Sequence, residues 1–223
     1  MDRVLIAITT AETVCHEVME AIYNLIIPEN VKVDIKIIHS YDVSNGRKDL
    51  VNHSIQNNYD YIFFVDSDVI LPIDSLHLLY ESINKGCKKY IMNGTYPRKE
   101  ISTITSEDPF TTLYRHDPSS MAKYNYNPFF LPVSELPEFG VIPVDCAGLG
   151  CTLIKMELFT KILHNVEWFK FANEHPIIDI GPYCLGEDMW FYRECIKRDI
   201  QPYAHGGVRC GHIGKFIYEL PKS

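Results

Sequence analysis

Residues 61–68, Tyr-Ile-Phe-Phe-Val-Asp-Ser-Asp, constrain the fold more than any other stretch of the chain. Consecutive β-branched and aromatic residues leave no polar face, so the run reads as a strand buried on both sides of a mostly parallel sheet. Open sheets of that kind bind ligands outside the carboxyl ends of their strands. Asp66 and Asp68 emerge there together and repel each other unless a cation lies between them. Oxygen-only ligands suit Mg²⁺ or Mn²⁺, and such ions usually hold substrate phosphates as well. The strand end is therefore expected to clamp a metal–diphosphate. In the competing reading one of these carboxylates merely caps the next helix. Pro72 and Asp74 already supply a start for that helix, at about 74–85.

The surrounding order of elements agrees with such a sheet. Residues 3–8 (RVLIAI) form a short apolar strand, and Thr9 followed by Glu12 resembles a capping box. Val14, Val18, Ile22 and Leu25 recur at helical spacing until Pro28. Residues 31–38 alternate as a second strand, Asn45-Gly46 opens a turn, and a helix is expected at 47–57. The Asp-x-Asp strand, its helix and a strand at 89–93 complete a β-α-β-α-β-α-β order, a Rossmann-like nucleotide-binding half over about 1–99.

The pattern then changes. Residues 100–143 are rich in Pro, Tyr, Phe, Ser and Thr with poor periodicity, which predicts a long irregular insertion serving as a functional loop or lid. A glycine-rich approach to a strand follows at 145–155, then a helix at about 156–164, a loop at 165–185, a helix at 187–198 and a strand at 200–204. No second hydrophobic core is apparent, so residues 1–223 are expected to form one domain, with an acceptor-side half at about 100–223. The same pattern is compatible with one domain of a longer protein.

Composition excludes several classes. A chain of 223 residues with 46% hydrophobic content can bury a sizeable core. The net charge of −8, without a basic stripe, argues against nucleic acid as a partner. No apolar run is long enough to span a bilayer, and the amino terminus lacks a signal-peptide layout. Seven cysteines without CxxC spacing fit reduced thiols in a cytoplasmic setting better than a disulfide framework or structural zinc. Cys184, Cys195 and Cys210 lie near the expected site, but nothing marks any of them as a nucleophile.

Three further features carry chemistry. Gly186-Glu187-Asp188 opens a helix, where the dipole keeps carboxylates ionised and suits a base that takes a proton from a hydroxyl. Acidic residues in a first helical turn are also commonplace without function. His212, between Gly211 and Gly214, can supply a third protein ligand to a divalent ion, or be an ordinary hydrogen-bonded histidine. Small residues at 145–150 (DCAGLG) leave room beside a substrate, or form a bulge.

Taken in order, Gly46-Arg47, FFVDSDVILP, GTYPRK, VDCAGLGCTLIKMELF, EWFKF, GEDMWFYRECIKRDI and RCGHIG resemble GT-A-fold glycosyltransferases, in particular small family-2-like enzymes of viral and phage type. The resemblance covers nearly the whole chain and is weakest over 100–143. It implies an α/β fold with a mixed, mostly parallel central sheet flanked by helices, and transfer of a sugar from a nucleoside-diphosphate sugar, UDP favoured, to a hydroxyl of a glycan or glycoprotein acceptor. By the same likeness Asp68, Asp66 and His212 hold Mn²⁺ or Mg²⁺, with Asp66 alternatively facing the ribose or sugar. Thr9 and Arg47 touch the nucleotide, and Arg98 and Lys99 neutralise phosphate. Gly148 and Gly150 border the sugar pocket, Glu187 contacts a sugar, and Asp188 is the base of an inverting reaction. The family often has Arg-Asn where this chain has Arg47-Lys48, and Asp42 is the nearest candidate for its acidic nucleotide reader.

Sugar-nucleotide nucleotidyltransferases share the Rossmann-like start but need a glycine-rich loop after the first strand. Residues 9–13 here are Thr-Thr-Ala-Glu-Thr, with no glycine. A retaining transferase on the same fold is a further alternative, as is a silent sugar-nucleotide- or glycan-binding domain. A silent domain would be expected to lose at least one of Asp66, Asp68, Asp188 and His212, and all four are present. Aromatic residues of 110–139 (Phe110, Tyr114, Tyr124, Tyr126, Phe129, Phe130) either shape the acceptor side or form a satellite core.

Overall fold

The computed structural model describes residues 1–99, 110–116, 128–171, 186–214 and 217–219. The chain begins with strand β1 (Asp2–Thr10), helix α1 (His16–Tyr23), β2 (Val31–His39), α2 (Val43–Gln56), β3 (Tyr61–Val65) and β4 (Val69–Ile70). Then come α3 (Ser75–Asn84), β5 (Ile91–Thr95), β6 (Phe110–His116), β7 (Pro128–Pro132), β8 (Val141–Pro143), β9 (Cys146–Ala147) and β10 (Cys151–Lys155). Helix α4 (Glu187–Ile196), β11 (Tyr203–Arg209), β12 (Gly211–Ile213) and β13 (Ile217–Tyr218) complete the described elements.

Seven strands form the central sheet in the order β2-β1-β3-β10-β5-β11-β8. The expected mixed α/β architecture, a central sheet flanked by helices, is what the chain adopts. β2, β1, β3, β5 and β11 all point the same way, so the sheet is mixed and mostly parallel, as expected. β1 runs parallel to β2 and β3, and β11 runs parallel to β5, whereas β10 is antiparallel to both β3 and β5, and β8 to β11. β10 inserts between two strands of the first half and runs against both.

Period-two alternation divides each central strand between two cores. Leu5 and Ala7 of β1 and Ile62 and Phe64 of β3 face Leu50 and Val51 of α2 and Phe191 and Tyr192 of α4. Val4, Ile6, Ile8, Phe63 and Val65 face Val18 and Ile22 of α1 and Leu76, Leu79 and Ile83 of α3. Every residue of β3 is buried, as its continuous apolar run requires.

Four local expectations are corrected. Thr9 is a strand residue rather than a helix cap: β1 continues to Thr10, and α1 begins only at His16, with no side-chain cap on its first turn. Thr10 Oγ1 accepts from the Glu12 N–H at 3.2 Å and donates to Thr13 O at 2.9 Å, holding a turn where the capping box was expected. Asn45-Gly46 is not a turn but part of α2, which Asp42 caps by accepting from the Ser44 and Asn45 N–H groups. Gly46 serves close packing there, since a Cβ on it would lie 2.6 Å from Thr9 Cγ2.

The segment expected to be irregular contains β6, β7 and β8. β6 pairs antiparallel with β7 and with β9, and these pairings join segments far apart in sequence. The helix expected at 156–164 is a short π-helical turn, Leu158–Ile162. Tyr124, Tyr126, Cys184 and most of the 165–185 loop lie outside the described residues. Among the described residues no helix is long and apolar enough to cross a membrane.

Candidate active site

A cleft of about 330 Å³ opens at the carboxyl ends of the parallel strands β1 and β3. Its walls come from the β1 end (Thr9, Thr10, Ala11), the segment entering α2 (Ser40, Tyr41, Val43, Arg47), the turn after β3 (Asp66, Ser67, Asp68) and the start of α4 (Glu187). This is the position where open α/β sheets take ligands. A slightly larger cavity of about 370 Å³, lined by Asp2, Tyr59, Tyr61, Lys155 and Glu157 among others, lies at the opposite ends of the same strands. Asp66, Asp68, Glu187 and the buried Arg47 converge on the smaller cleft, so the site is assigned there.

Arg47 organises the cleft floor. Its side chain is 4% exposed, with Nη2 donating to Asp66 Oδ1 at 2.8 Å and Nη1 donating to Glu187 Oε1. Burial alone would lower the guanidinium pKa, but Asp66, Glu187 and Asp188 around it raise it instead. Arg47 therefore stays charged and joins α2, the β3 turn and α4. The sequence suggested a direct nucleotide contact for this residue. Although it lines the cleft, both arms of its fork hold protein carboxylates.

Asp68 lies on the other side of the turn. It pairs with Lys99 Nζ, and its Oδ1 lies 3.6 Å from His212 Nε2. Burial raises the Asp68 pKa, while His212 and Lys99 bring it below the ordinary carboxylate value. His212 is held by its other nitrogen: Nδ1 lies 2.8 Å from Pro97 O. A carbonyl oxygen can only accept, so Nδ1 carries a proton toward Pro97 O, and Nε2 is the ring atom turned toward Asp68. Outer hydrogen bonds of this kind orient metal-ligating histidines. The Tyr96 ring braces His212 edge-on, with centroids 5.0 Å apart.

Asp68 Oδ1 and His212 Nε2, 3.6 Å apart, are an oxygen and a nitrogen placed where both could ligate one divalent cation, with Nε2 deprotonated when it does so. Asp66 does not join them in this arrangement, because Oδ1 is turned to Arg47. Among the described residues no group of three His, Cys, Asp or Glu side chains is gathered to hold a metal ion.

Asp188 retains some solvent exposure on the first turn of α4. Burial of its carboxyl, with Glu187 adding to it, raises its pKa to about 6. Helix position predicted a carboxylate ionised at neutral pH; desolvation outweighs the dipole in setting its pKa, and a value of about 6 still leaves it mostly ionised there.

Gly148 and Gly150 give room to Tyr96 and Asp66. Both are buried, and a Cβ on Gly148 would sit 2.2 Å from the Tyr96 hydroxyl oxygen. On Gly150 it would sit 2.6 Å from Asp66 Oδ2 and 2.8 Å from the same hydroxyl, which accepts from Gly150 N–H at 3.0 Å. The space beside the two glycines is filled by Tyr96 and Asp66. Asp42 is occupied by its cap and by Asn45 Nδ2 at 2.7 Å, outside the cleft wall. Arg98 follows Pro97, its backbone N–H donating to Phe110 O at 3.4 Å, and is also outside the wall.

Tyr96 and the Pro97 carbonyl were missed from sequence. The available signal was an aromatic residue before a proline at the end of an apolar strand, together with two glycines at 148 and 150 that gave it room.

No protein-family profile matches the sequence, and no curated protein matches it. Among solved structures the chain is similar to A197 from STIV, with a TM-score of 0.61 and 16% sequence identity. That match covers 100% of this chain and 96% of the other. At such identity the likeness is one of fold.

Proposed function

We propose that this chain is a GT-A-type glycosyltransferase that moves a sugar from a nucleoside-diphosphate sugar, UDP favoured, to a hydroxyl of a glycan or glycoprotein acceptor. The single observation that carries the proposal is the arrangement at the β3 end. Asp68 faces Nε2 of His212, whose other nitrogen is fixed on Pro97 O, beside a cleft at the carboxyl ends of parallel strands. The full-length likeness to A197 supports one catalytic unit over the whole chain.

Asp68 and His212 would hold Mn²⁺ or Mg²⁺, which when bound supplies positive charge for the departing diphosphate. The chain's own residues do the remainder. Thr9, Ser40 and Tyr41 line the side of the cleft open to a nucleoside. Arg47 fixes Asp66 and Glu187 so that both carboxylates keep their orientation while substrate enters. Asp188 takes the proton of the attacking hydroxyl, and its raised pKa places it near the range useful for a general base. Attack on the face opposite the leaving group gives inversion. Lys99, paired to Asp68 here, would neutralise phosphate charge.

A second reading is a sugar-nucleotide-binding domain without turnover. It is favoured by one observation: each carboxylate of Asp-x-Asp already carries a basic partner, Arg47 on Asp66 and Lys99 on Asp68. Nucleoside-diphosphate release from a panel of nucleotide sugars, with Mn²⁺ and candidate glycan acceptors, separates the two. Acceptor-stimulated release supports the transferase. Binding with no release under any acceptor supports the second reading.

A further inference from the structure

We propose that the outer edge of β2 pairs with the same edge of a second copy of this chain, antiparallel and in one register centred on Ile35. β2 is the end strand of the central sheet, and among the described residues no strand pairs with its outer side. Its inward side is identified by two bonds to β1: Asp2 N–H donates to Asn30 O at 2.9 Å, and Ser40 N–H donates to Thr10 O at 2.9 Å. Backbone groups alternate sides along a strand. Even-numbered positions therefore bond to β1, and residues 31, 33, 35, 37 and 39 point their N–H and C=O groups outward.

The side chains make this edge unusual. Proteins blunt free edges with short strands, proline, bulges or charge. β2 runs nine residues with no proline or glycine, and its charges are of both signs. Ile35 and Ile37 are 48% and 42% exposed, although Val31 and Val33 beside them are partly covered by the core under α1. Lys32, Asp34 and Lys36 lie on the opposite face.

Those charges select the register. Antiparallel pairing must oppose outward-pointing residues to one another. With Ile35 against Ile35 of the second copy, Val33 meets Ile37 and Val31 meets His39, so the full strand overlaps. Both faces then match: Val33, Ile35 and Ile37 of the two copies form one apolar strip, and Asp34 stands against Lys36 twice. Sliding by one pair in one direction sets Asp34 against Asp34 and Lys32 against Lys36. Sliding the other way sets Lys36 against Lys36. Like charges directly opposite are destabilising, so the centred register is the matched one.

The result is a two-fold, self-complementary interface that continues the sheet from one copy into the next. Since the strands run in opposite directions, the two clefts open at opposite ends of the joined sheet. The pairing depends on the β2 edge and not on the chemistry of the cleft.

Sedimentation velocity on the full chain over a broad concentration range tests it. The expected result is a dimer for the unaltered chain and a monomer for Ile35→Pro. That substitution removes an N–H that β1 does not use, so a folded edge strand can accept it. Lys36→Glu, at an exposed position, sets a carboxylate against Asp34 twice and is expected to weaken dimerisation by roughly tenfold. Thermal melts verify that each variant folds, and Lys36→Glu decides alone should Ile35→Pro not fold. A chain that is monomeric throughout, or a dimer that the folded variants leave unchanged, overturns the proposal.

Discussion

His212 presents Nε2 to Asp68 across 3.6 Å while its Nδ1 is fixed on Pro97 O at 2.8 Å. Two strand ends are thereby locked into one donor pair, since β12 carries the imidazole and the β3 turn carries the carboxylate. β12 also pairs antiparallel with β4, His212 opposite Val69, directly after Asp68. The imidazole is thus placed by the sheet rather than by a free loop.

His212→Ala removes the nitrogen ligand but leaves Asp68. The metal concentration needed for half-maximal donor binding should rise by at least roughly tenfold. A titration of Mn²⁺ at fixed nucleotide reads this directly, and an unchanged midpoint excludes His212 as a ligand.

Asp188→Asn should reduce transfer by roughly 10²–10⁴-fold and leave donor affinity unchanged. In the unaltered protein kcat/KM should climb with pH through about 6, as the base loses its proton, and level above that. Retained transfer in the variant sinks the base assignment.

The same carboxyl makes a stability prediction of defined sign. Its ordinary pKa is 3.8 and its folded value about 6, so between those values the folded protein holds a proton that the unfolded chain has released. Stability from this group falls as pH rises through that window. Asp188→Asn should raise Tm near pH 8 and leave it unchanged near pH 3.5. A Tm difference that does not vary with pH contradicts the buried-charge account.

Arg47→Met leaves the Asp66 and Glu187 carboxylates facing each other without their shared cation. Breaking a buried ion pair from one side costs about 3–5 kcal/mol, and urea unfolding measures the loss. Arg47→Lys should rescue only part of it, because an ammonium lacks the fork that reaches both partners. A loss under about 1 kcal/mol would show that the cluster does not hold these elements together.

Gly148→Ala places a methyl against the Tyr96 hydroxyl and should destabilise by about 1–3 kcal/mol. Tyr96→Phe removes the clashing oxygen, so the double variant should recover much of that loss. Strict additivity of the two substitutions would show that the clash is elsewhere.

Much of the frame was legible because it follows from local pattern. The apolar run of β3 marked a buried strand, and the apolar residues 3–8 marked β1. Thr9 and Glu12 misled because their spacing satisfies a capping box, while pairing of β1 with β2 carries the strand through Thr10. Asn45-Gly46 misled similarly: the dipeptide has turn chemistry, but Asp42 caps α2 ahead of it and Gly46 lets the helix approach Thr9. β6, β7 and β9 were not visible because their partners lie far along the chain. Within the site, the carboxylates and His212 announced themselves by type and position. The arms of Arg47 and the packing of Tyr96 beneath two glycines depend on contacts between distant segments, which no local pattern encodes.

The most direct test of the central claim is titration calorimetry of UDP into the unaltered chain and into Asp68→Ala, each with Mn²⁺ and with EDTA. The account predicts binding to the unaltered chain that requires Mn²⁺ and is lost in the variant. Binding that is equal in Mn²⁺ and EDTA, or that survives Asp68→Ala, would contradict a metal–diphosphate clamp at the end of β3.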